Sequence, residues 1–466
     1  MTRARVAGLV AALLAAAATA RADWPLIWDF DGRGDEPVAA RRGENGEAEG
    51  DLWILLSAYA QGQPSAQAVL LRIAPDGAIV WTGEDPDLHT PQAMALRDDG
   101  TTLVVGREGT GIRVSAFDAA GTLAWSRSRS GVAADIAING PQASPIWDES
   151  AAGGGAWRIP CGVGGDFAVL SFTAAGDPLP DVVWPLPAGE GRATSVLPRP
   201  GGGLMVAGLM DTVAPPGWWT VALDSAGKEI WSTFENGGTV AGIFTGAFLL
   251  SADPVRLWAD DETHCGLFSL RLWALEPGTG APLWGATWPP SGVPNCDSFI
   301  PDSVVLAGDR ILAAGVGNVA GVGASFDPIA VSFDAANGAH EWAQTSAGAT
   351  TGIRAEVTAT GGGALVASTL FPNPNPGPTP LWATAWDHDG ASCGAPRELM
   401  PARVNVALPV PAAGGTAAAL LVGYGFNVIG SSLEDLVVQR LEDPCAGLFL
   451  DGFESGGTGQ WSAVEP

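Results

Sequence analysis

The sequence predicts an all-β fold, a closed β-propeller of four-stranded blades. Three observations carry this: a composition that opposes long helices, a phrase that recurs about every 50 residues, and turn chemistry repeated in phase with it. Among 466 residues stand 64 Gly and 36 Pro, and each weakens a helix interior. Hydrophobic residues make up 47% of the chain, which suits a large core and excludes disorder for most of it. The formal charge of −27 argues against nucleic acid or an anionic membrane as partner, because both would repel the chain.

The phrase is a short β-rich run, an Asp, a Gly, and a Trp four residues after the Gly. It reads Ile73-Ala-Pro-Asp76-Gly77-Ala-Ile-Val-Trp81, then Phe117-Asp118-Ala-Ala-Gly121-Thr-Leu-Ala-Trp125, then Leu223-Asp224-Ser-Ala-Gly227-Lys-Glu-Ile-Trp231. Leu275-Glu276-Pro-Gly-Thr-Gly280-Ala-Pro-Leu-Trp284 and Phe333-Asp334-Ala-Ala-Asn-Gly338-Ala-His-Glu-Trp342 are two more copies. A looser copy runs from Phe172 through Gly176 to Trp184, its turn lengthened by prolines. Trp386-Asp387-His-Asp-Gly390 lacks the final Trp, and Leu436 to Glu442 keeps only the first strand. Asp accepts backbone N–H bonds across a tight turn, and Gly takes the positive φ such a turn demands. The Trp then falls on the outermost strand, where its face can fill the wedge between blades. Nineteen Trp against two Tyr fits rings used for area rather than for a phenol.

Between these phrases lies an apolar strand, a Gly-rich turn and another apolar strand, as in Ala193 to Gly208, Met94 to Gly106 and Ala355 to Ala367. Each unit therefore supplies four short strands. Eight units give eight blades; seven stays open because the first and last units are irregular. A closed ring must join its ends, since an open blade exposes a strand edge. Pro25-Leu-Ile27-Trp28-Asp-Phe30 matches the outer strand Glu229-Ile230-Trp231-Ser-Thr-Phe234, and the last unit lacks such a strand. Residues 24–30 are expected to complete the final blade.

The pattern A-x-D-x-x-G-x-x-x-W, clearest in Ala222 to Trp231 and Ala274 to Trp284, resembles the repeat of the quinoprotein-like (PQQ-like) propellers over residues 50–445. That resemblance implies the propeller fold; the family holds both quinone-dependent dehydrogenases and non-catalytic envelope proteins that assemble partners. The alcohol-oxidising branch carries two adjacent cysteines beside its quinone. No two cysteines here are adjacent, and that branch's calcium ligands and Asp base find no matching local motif. PQQ is therefore not expected. The segment Asp451-Gly-Phe453-Glu454-Ser-Gly to Trp461-Ser462 resembles a short tail that closes many exported proteins of proteobacteria.

Residues 1–22 read as an export signal: Arg3 and Arg5, an apolar run to Ala20, and a small-x-small cleavage site at Ala20-Arg21-Ala22. Residues 23–446 are then the propeller and 447–466 a tail. The expected location is periplasmic, cell-surface or secreted. No later stretch is long and apolar enough for a transmembrane helix. Five cysteines remain, an odd number that leaves one unpaired. The expected pairs are Cys265 with Cys296 and Cys393 with Cys445, leaving Cys161 free.

Chemical motifs are sparse. Asp29, Asp31 and Asp35 stand at positions one, three and seven of a Gly-containing loop, a candidate calcium site without the late bidentate Glu of an EF-hand. The acidic run Asp35 to Asp51 reads as a solvated loop before the first full blade. Gly390-Ala-Ser392-Cys393-Gly394 spells a nucleophile elbow, but all four His precede Ser392, against the order that fold needs. Gly315-Val-Gly317 imitates a dinucleotide fingerprint but sits between strands, as a loop. No catalytic residue stands out. The expected function is binding or scaffolding, by a monomer, of an envelope or extracellular protein or glycan; the alternative is PQQ-dependent oxidation of alcohols or sugars.

Overall fold

The computed structural model describes residues 26–28, 34–43, 50–59, 66–133, 145–151, 153–186, 190–210, 217–236, 247–262, 268–289, 297–319, 323–345, 352–360, 363–370, 381–394, 397–399, 403–409, 417–426, 434–442 and 445. Residues 1–22 and 447–466, read above as an export signal and a tail, and Asp29, Asp31, Cys265 and Cys296 lie outside the described residues.

The described chain is built of antiparallel strands gathered into seven hydrogen-bonded sheets. The seven-stranded sheet holds two repeat units. Its long strand Ile79–Leu96 is the outer strand of one unit up to Asp85 and the inner strand of the next from Pro91, with Thr90 at φ 47° at the bend. The five-stranded sheet is one unit whose inner strand is split into Val132–Ala133 and Ile146–Asp148, both paired to Ala156–Val163. Counted by repeat unit, the sheets make eight blades.

Blade 1 comprises Gly34–Arg42, Leu52–Tyr59, Gln67–Ile73 and the first half of Ile79–Leu96. Blade 2 takes its second half, then Thr102–Glu108, Gly111–Phe117 and Leu123–Arg129. Blade 3 continues from its split strand and Ala156–Val163 through Asp166–Phe172 to Val182–Trp184. Blades 4, 5, 6 and 7 start at the inner strands Gly191–Pro198, Ala247–Ala252, Ser298–Ala307 and Gly352–Thr360. Blade 8 has Arg403–Pro409, Ala417–Phe426 and Glu434–Glu442, with Leu26–Trp28 as its outer strand.

Two observations close the ring. Each inner strand touches the inner strand of the next blade, from blade 1 round to blade 8 and back. The buried side chains also fall into eight clusters, one at each junction. The two-residue period of a strand explains why one blade serves two junctions. Along Leu52–Tyr59, Leu52, Ile54, Leu56 and Ala58 face blade 8, whereas Trp53 and Leu55 face blade 2. A strand buried on both faces needs an unbroken apolar run, and Leu52-Trp-Ile-Leu-Leu56 supplies it.

Each phrase in the sequence forms a lock between blades. The turn glycines 77, 121, 176, 227, 280, 338 and 390 adopt φ of 71–87°, which L side chains rarely adopt. The Asp before them holds the turn: Asp118 Oδ1 accepts from Ala120 N at 3.0 Å and Thr122 N at 2.9 Å, and Asp224 and Asp387 do likewise. The Trp of one blade then lies flat on the turn glycine of the next. A Cβ at Gly121, Gly176, Gly280, Gly338 or Gly390 would come well within 3.0 Å of the indoles of Trp81, Trp125, Trp231, Trp284 and Trp342 respectively. Four of these indoles also donate Nε1–H to a carbonyl of the same turn: Trp81 to Ala119 at 2.9 Å, Trp125 to Ala174 at 2.9 Å, Trp231 to Pro277 at 3.0 Å and Trp342 to His388 at 3.1 Å. At Trp284 the equivalent carbonyl, Ala335, accepts from Arg256 Nε instead, at 2.8 Å.

Blade 7 lacks the Trp, and a disulfide stands in its place. Cys393, three residues after Gly390, is bonded to Cys445 just beyond the third strand of blade 8, with Cα atoms 4.9 Å apart. Closing a loop of 52 residues contributes on the order of 3–4 kcal/mol in the chain-entropy model. At the last junction Leu26, Ile27 and Trp28 pair with Val438, Val437 and Leu436, and Trp28 packs into the core between blades 8 and 1. The N-terminal strand thus completes the final blade.

Two sequence expectations are corrected. The stretch after Asp35 is not a solvated loop: Gly34–Arg42 is the inner strand of blade 1, with Asp35 buried and Glu36, Arg41 and Arg42 half-buried. Gly315 and Gly317 lie inside the strand Arg310–Val319, where a Cβ would strike Ile300 O and Ser298 O; they are glycines because the backbones approach closely.

Deleting residues 23–32 removes Trp28 and bares the edge of Glu434–Glu442. The expected outcome is a melting temperature lower by roughly 5–10 °C, read by calorimetry; an unchanged melt would rule out closure by the N-terminal strand.

Candidate functional site

Seven of the inner strands carry a bulge, with the register slipping at Val38, Gln92, Thr194, Leu250, Asp302, Ile353 and Asn405. A bulge re-aims the side chain it carries, and three of these residues tie their blade to the next. Thr194 Oγ1 donates to Ala247 O at 2.6 Å, Asp302 Oδ2 accepts from Ala355 N at 2.9 Å, and Asn405 Nδ2 donates to Pro37 O at 2.7 Å. The last bond joins blade 8 to blade 1. A polar belt thus runs along the channel side, inside the ring of indole locks.

In blades 6 to 8 the belt becomes an ion cluster. Arg354 Nε donates to Glu356 Oε1 at 2.9 Å, its Nη2 lies 2.8 Å from the same oxygen, and Nη2 also donates to Asn405 O at 3.1 Å. The Glu356 side chain is inaccessible, whereas that of Arg354 is 23% exposed. Burial pushes the Glu356 carboxyl up to about 8 in spite of Arg354, and its Oε2 has no hydrogen-bond partner among the described residues. Burial likewise raises Asp302 to about 6. Arg354 is itself disfavoured as a cation by burial, but Glu356 and Asp302 outweigh this and raise its pKa. Burial thus disfavours the charged form of both carboxyls, and the Arg354 guanidinium opposes that effect at each.

This cluster was not legible in the sequence. Asp302, Arg354, Glu356 and Asn405 sit on three different repeats, and only their shared place near an inner-strand bulge relates them.

A second feature lies between blades 3 and 4. In other blades the Trp pairs one residue before the end of the third strand, as Trp231 does with Ala222. In blade 3 the proline-lengthened turn takes that place: Pro178 bridges to Phe172, and regular pairing resumes only with Val182 opposite Val169. Trp184 is consequently displaced along the ladder to pair with Phe167, about 13 Å from the turn-proximal position. Its Nε1 donates to Glu229 Oε2 at 2.6 Å, and its ring packs against Phe167 and Trp219. Gly227 receives only the isopropyl group of Val182, 3.2 Å from where a Cβ would stand. Beside it a cleft of about 500 Å³ opens, walled by Leu179, Val182 and Leu204 and edged by Asp148, Asp181 and Asp224. Arg158 at its wall bonds Asp148 Oδ2 at 3.2 Å and Ser171 Oγ at 2.7 Å; Asp181 is paired with Arg129.

The remaining candidates are placed as follows. Asp35 is buried at the start of the blade 1 inner strand; its proposed calcium partners lie outside the described residues. Among the described residues no three His, Cys, Asp or Glu converge to hold a metal ion. Ser392 Oγ donates to Gly394 O at 2.6 Å in the turn beside the disulfide. Cys161 is free and buried, and burial pushes its thiol up to about 12, so it is not a nucleophile at neutral pH. No described helix is long and apolar enough to cross a membrane. Bound PQQ would need a cation for its carboxylates and oxygen ligands for its metal. Arg354 is already engaged by Glu356 and by the Asn405 carbonyl, so the described cluster does not fit that group.

The Glu356 shift has a pH signature. An unfolded chain releases this proton near 4.5 and the folded chain near 8. The contribution therefore favours folding in full below pH 4.5 and is lost as pH rises towards 8. In Glu356→Gln the fall in melting temperature between pH 5 and pH 8.5 should be shallower than in the wild type; parallel curves would contradict the assignment.

No protein-family model matches the chain, and no curated protein matches it in sequence. Its likeness is to solved structures. A europium-containing methanol dehydrogenase is 10% identical with a TM-score of 0.51, covering 90% of this chain and 93% of that one. A quinohemoprotein alcohol dehydrogenase from Comamonas testosteroni is 13% identical with a TM-score of 0.46, covering 83% and 72%. The β-propeller domain of the Trilobed protease from Pyrococcus furiosus is 11% identical with a TM-score of 0.41, covering 81% and 95%. The likeness to the first of these, at 10% identity, shows the fold alone: the chain is a β-propeller.

Proposed function

We propose that the chain is an exported binding or scaffolding propeller, a monomer that engages a protein or glycan of the envelope or the surroundings. The observation that supports this is the cleft between blades 3 and 4, a ligand-sized opening in a ring that is elsewhere locked by indoles and a disulfide. The inner-strand cluster is consistent with it, since Arg354 engages Glu356 and the Asn405 carbonyl and Asp302 accepts from Ala355 N, contacts that tie blades together rather than converge on a reacting centre. Export accords with the leader, the acidic surface charge and the disulfide.

A second assignment, quinone-dependent oxidation of an alcohol or sugar, draws on the fold shared with a methanol dehydrogenase. Reconstitution separates the two. Purified protein supplied with PQQ and either Ca²⁺ or a lanthanide ion should retain no quinone and reduce no dye with methanol, longer alcohols or sugars. Turnover above the quinone-only control would replace the binding assignment with the enzymatic one.

A further inference from the structure

The outer strand of blade 2 differs in charge from every other outer strand described. Leu123–Arg129 is the last strand of its sheet, and its far side pairs with nothing among the described residues. It carries Arg127 and Arg129 and no acid. The other outer strands are acidic, balanced or uncharged. Residues 79–85 hold Glu84 and Asp85, Glu229–Asn236 holds Glu229 and Glu235, His340–Thr345 holds Glu341, and Arg397–Glu398 has one charge of each sign. Val182–Trp184, Pro282–Trp288 and Leu26–Trp28 hold none.

Trp125, Arg127 and Arg129 project from one face of the strand, the face that packs toward blade 3. Arg107 shares that face, by alternation with Leu103 and Val105. Across from these guanidiniums stands Asp181, which is taken by Arg129. Arg127 is exposed; it lies over the Trp125 ring and donates Nη1–H to Ser126 O at 2.8 Å, but meets no carboxylate among the described residues. Arg107 is exposed and meets none there either. A chain of net charge −27 thus keeps two uncompensated cations beside an open strand edge.

We propose that this edge docks an extended acidic segment of a partner protein, which adds a fifth strand to blade 2. An open edge supplies the backbone hydrogen bonds of such an addition, and side chains beside it supply the selectivity. Arg127 and Arg129 stand two residues apart, about 6.8 Å along the strand, so carboxylates at alternate positions of the added strand meet both across the ladder. Arg129 shares its guanidinium with Asp181; Arg127 is committed to no acid and carries the larger share. The overall negative charge does not prevent this, because physiological salt screens it beyond about 8 Å. The chain's own tail is the poorer occupant: Asp451 and Glu454 are three residues apart and would fall on opposite faces of a strand. The proposal goes beyond the cleft between blades 3 and 4 and does not depend on it.

The test is fluorescence polarisation of a dye-labelled Thr-Glu-Val-Glu-Thr peptide, amidated at its C-terminus and titrated with the full chain. It should bind, and added salt should weaken it. The same peptide N-methylated at every backbone amide keeps both carboxylates but donates nothing to a ladder, so it should bind about tenfold more weakly or worse. Arg127→Glu should weaken peptide binding by about tenfold or more. Its melting temperature should not change, because Arg127 is exposed and pairs with no acid; Arg127→Lys should retain most of the binding. Lys228→Glu makes the same change in net charge at the blade 4 turn and should leave binding unaltered. No binding, equal binding of the N-methylated peptide, or equal losses in Arg127→Glu and Lys228→Glu would overturn the proposal. Displacement by polygalacturonate as effective as by unlabelled peptide would also overturn it, by making the edge a patch for anionic glycans. Binding seen only after deletion of residues 447–466 would do the same, by assigning the edge to the tail. Each of these outcomes is independent of whether the cleft between blades 3 and 4 takes a ligand.

Discussion

An indole pressed flat on the α-carbon of a glycine in the neighbouring blade is the contact from which the rest of the architecture follows. It leaves no room for a Cβ, so the turn must hold glycine. The glycine is free to take the left-handed φ, so the turn can be tight, and a tight turn leaves backbone N–H groups that an Asp must satisfy. The indole nitrogen reaches an acceptor across the same contact, the carbonyl of the residue after the Asp or its counterpart, in four of the five locks. One sequence phrase thereby encodes a turn, its cap and half of a junction, and it can only be read as a unit. A blade alone would expose both faces of its sheet. Stacked in a ring, each face meets a neighbour.

Two concentric constraints then fix the ring. Outside, the indole locks, the disulfide between Cys393 and Cys445, and Trp28 hold blade to blade at the rim. Inside, bulged strands aim Thr194, Asp302 and Asn405 across the junctions. The Asn405 bond to Pro37 and the pairing of Leu26–Trp28 act on the same closure from its two sides. The Arg354 cluster belongs to the inner constraint. Its buried carboxyl with an unpartnered oxygen is a cost, and protonation of Glu356 lowers it.

The fold was legible because its locks are local in sequence: Asp, Gly and Trp stand within a few residues of one another, and their recurrence announces the blades. The closing strand was legible for the same reason, since Ile27-Trp28 copies Ile230-Trp231. What was hidden depended on distant residues or on departures from the phrase. Gly34–Arg42 reads as a loop by charge, and only its pairing with Leu52–Tyr59, which leaves Glu36, Arg41 and Arg42 half-buried, shows it to be a strand. The blade 3 turn reads as a loose copy of the phrase; that the proline-lengthened turn carries Trp184 along the ladder to Glu229 and leaves Val182 over Gly227 emerges only from the strand register. Residues 1–22, 29–31 and 447–466 lie outside what the structure describes.

The departure in blade 3 gains meaning only if the indole–glycine contact is the lock it is taken to be. A double-mutant cycle on Trp231 and Gly280 tests that most directly, with unfolding free energies from urea titration. If the two groups are in the contact described, Gly280→Ala should be far more damaging in the wild type than in the Trp231→Ala background. There only the left-handed φ remains to oppose it, giving a coupling of about 1–3 kcal/mol. Additive effects, with coupling within about 0.5 kcal/mol of zero, would mean that the indole and the turn stand independently and that the ring is held by something else.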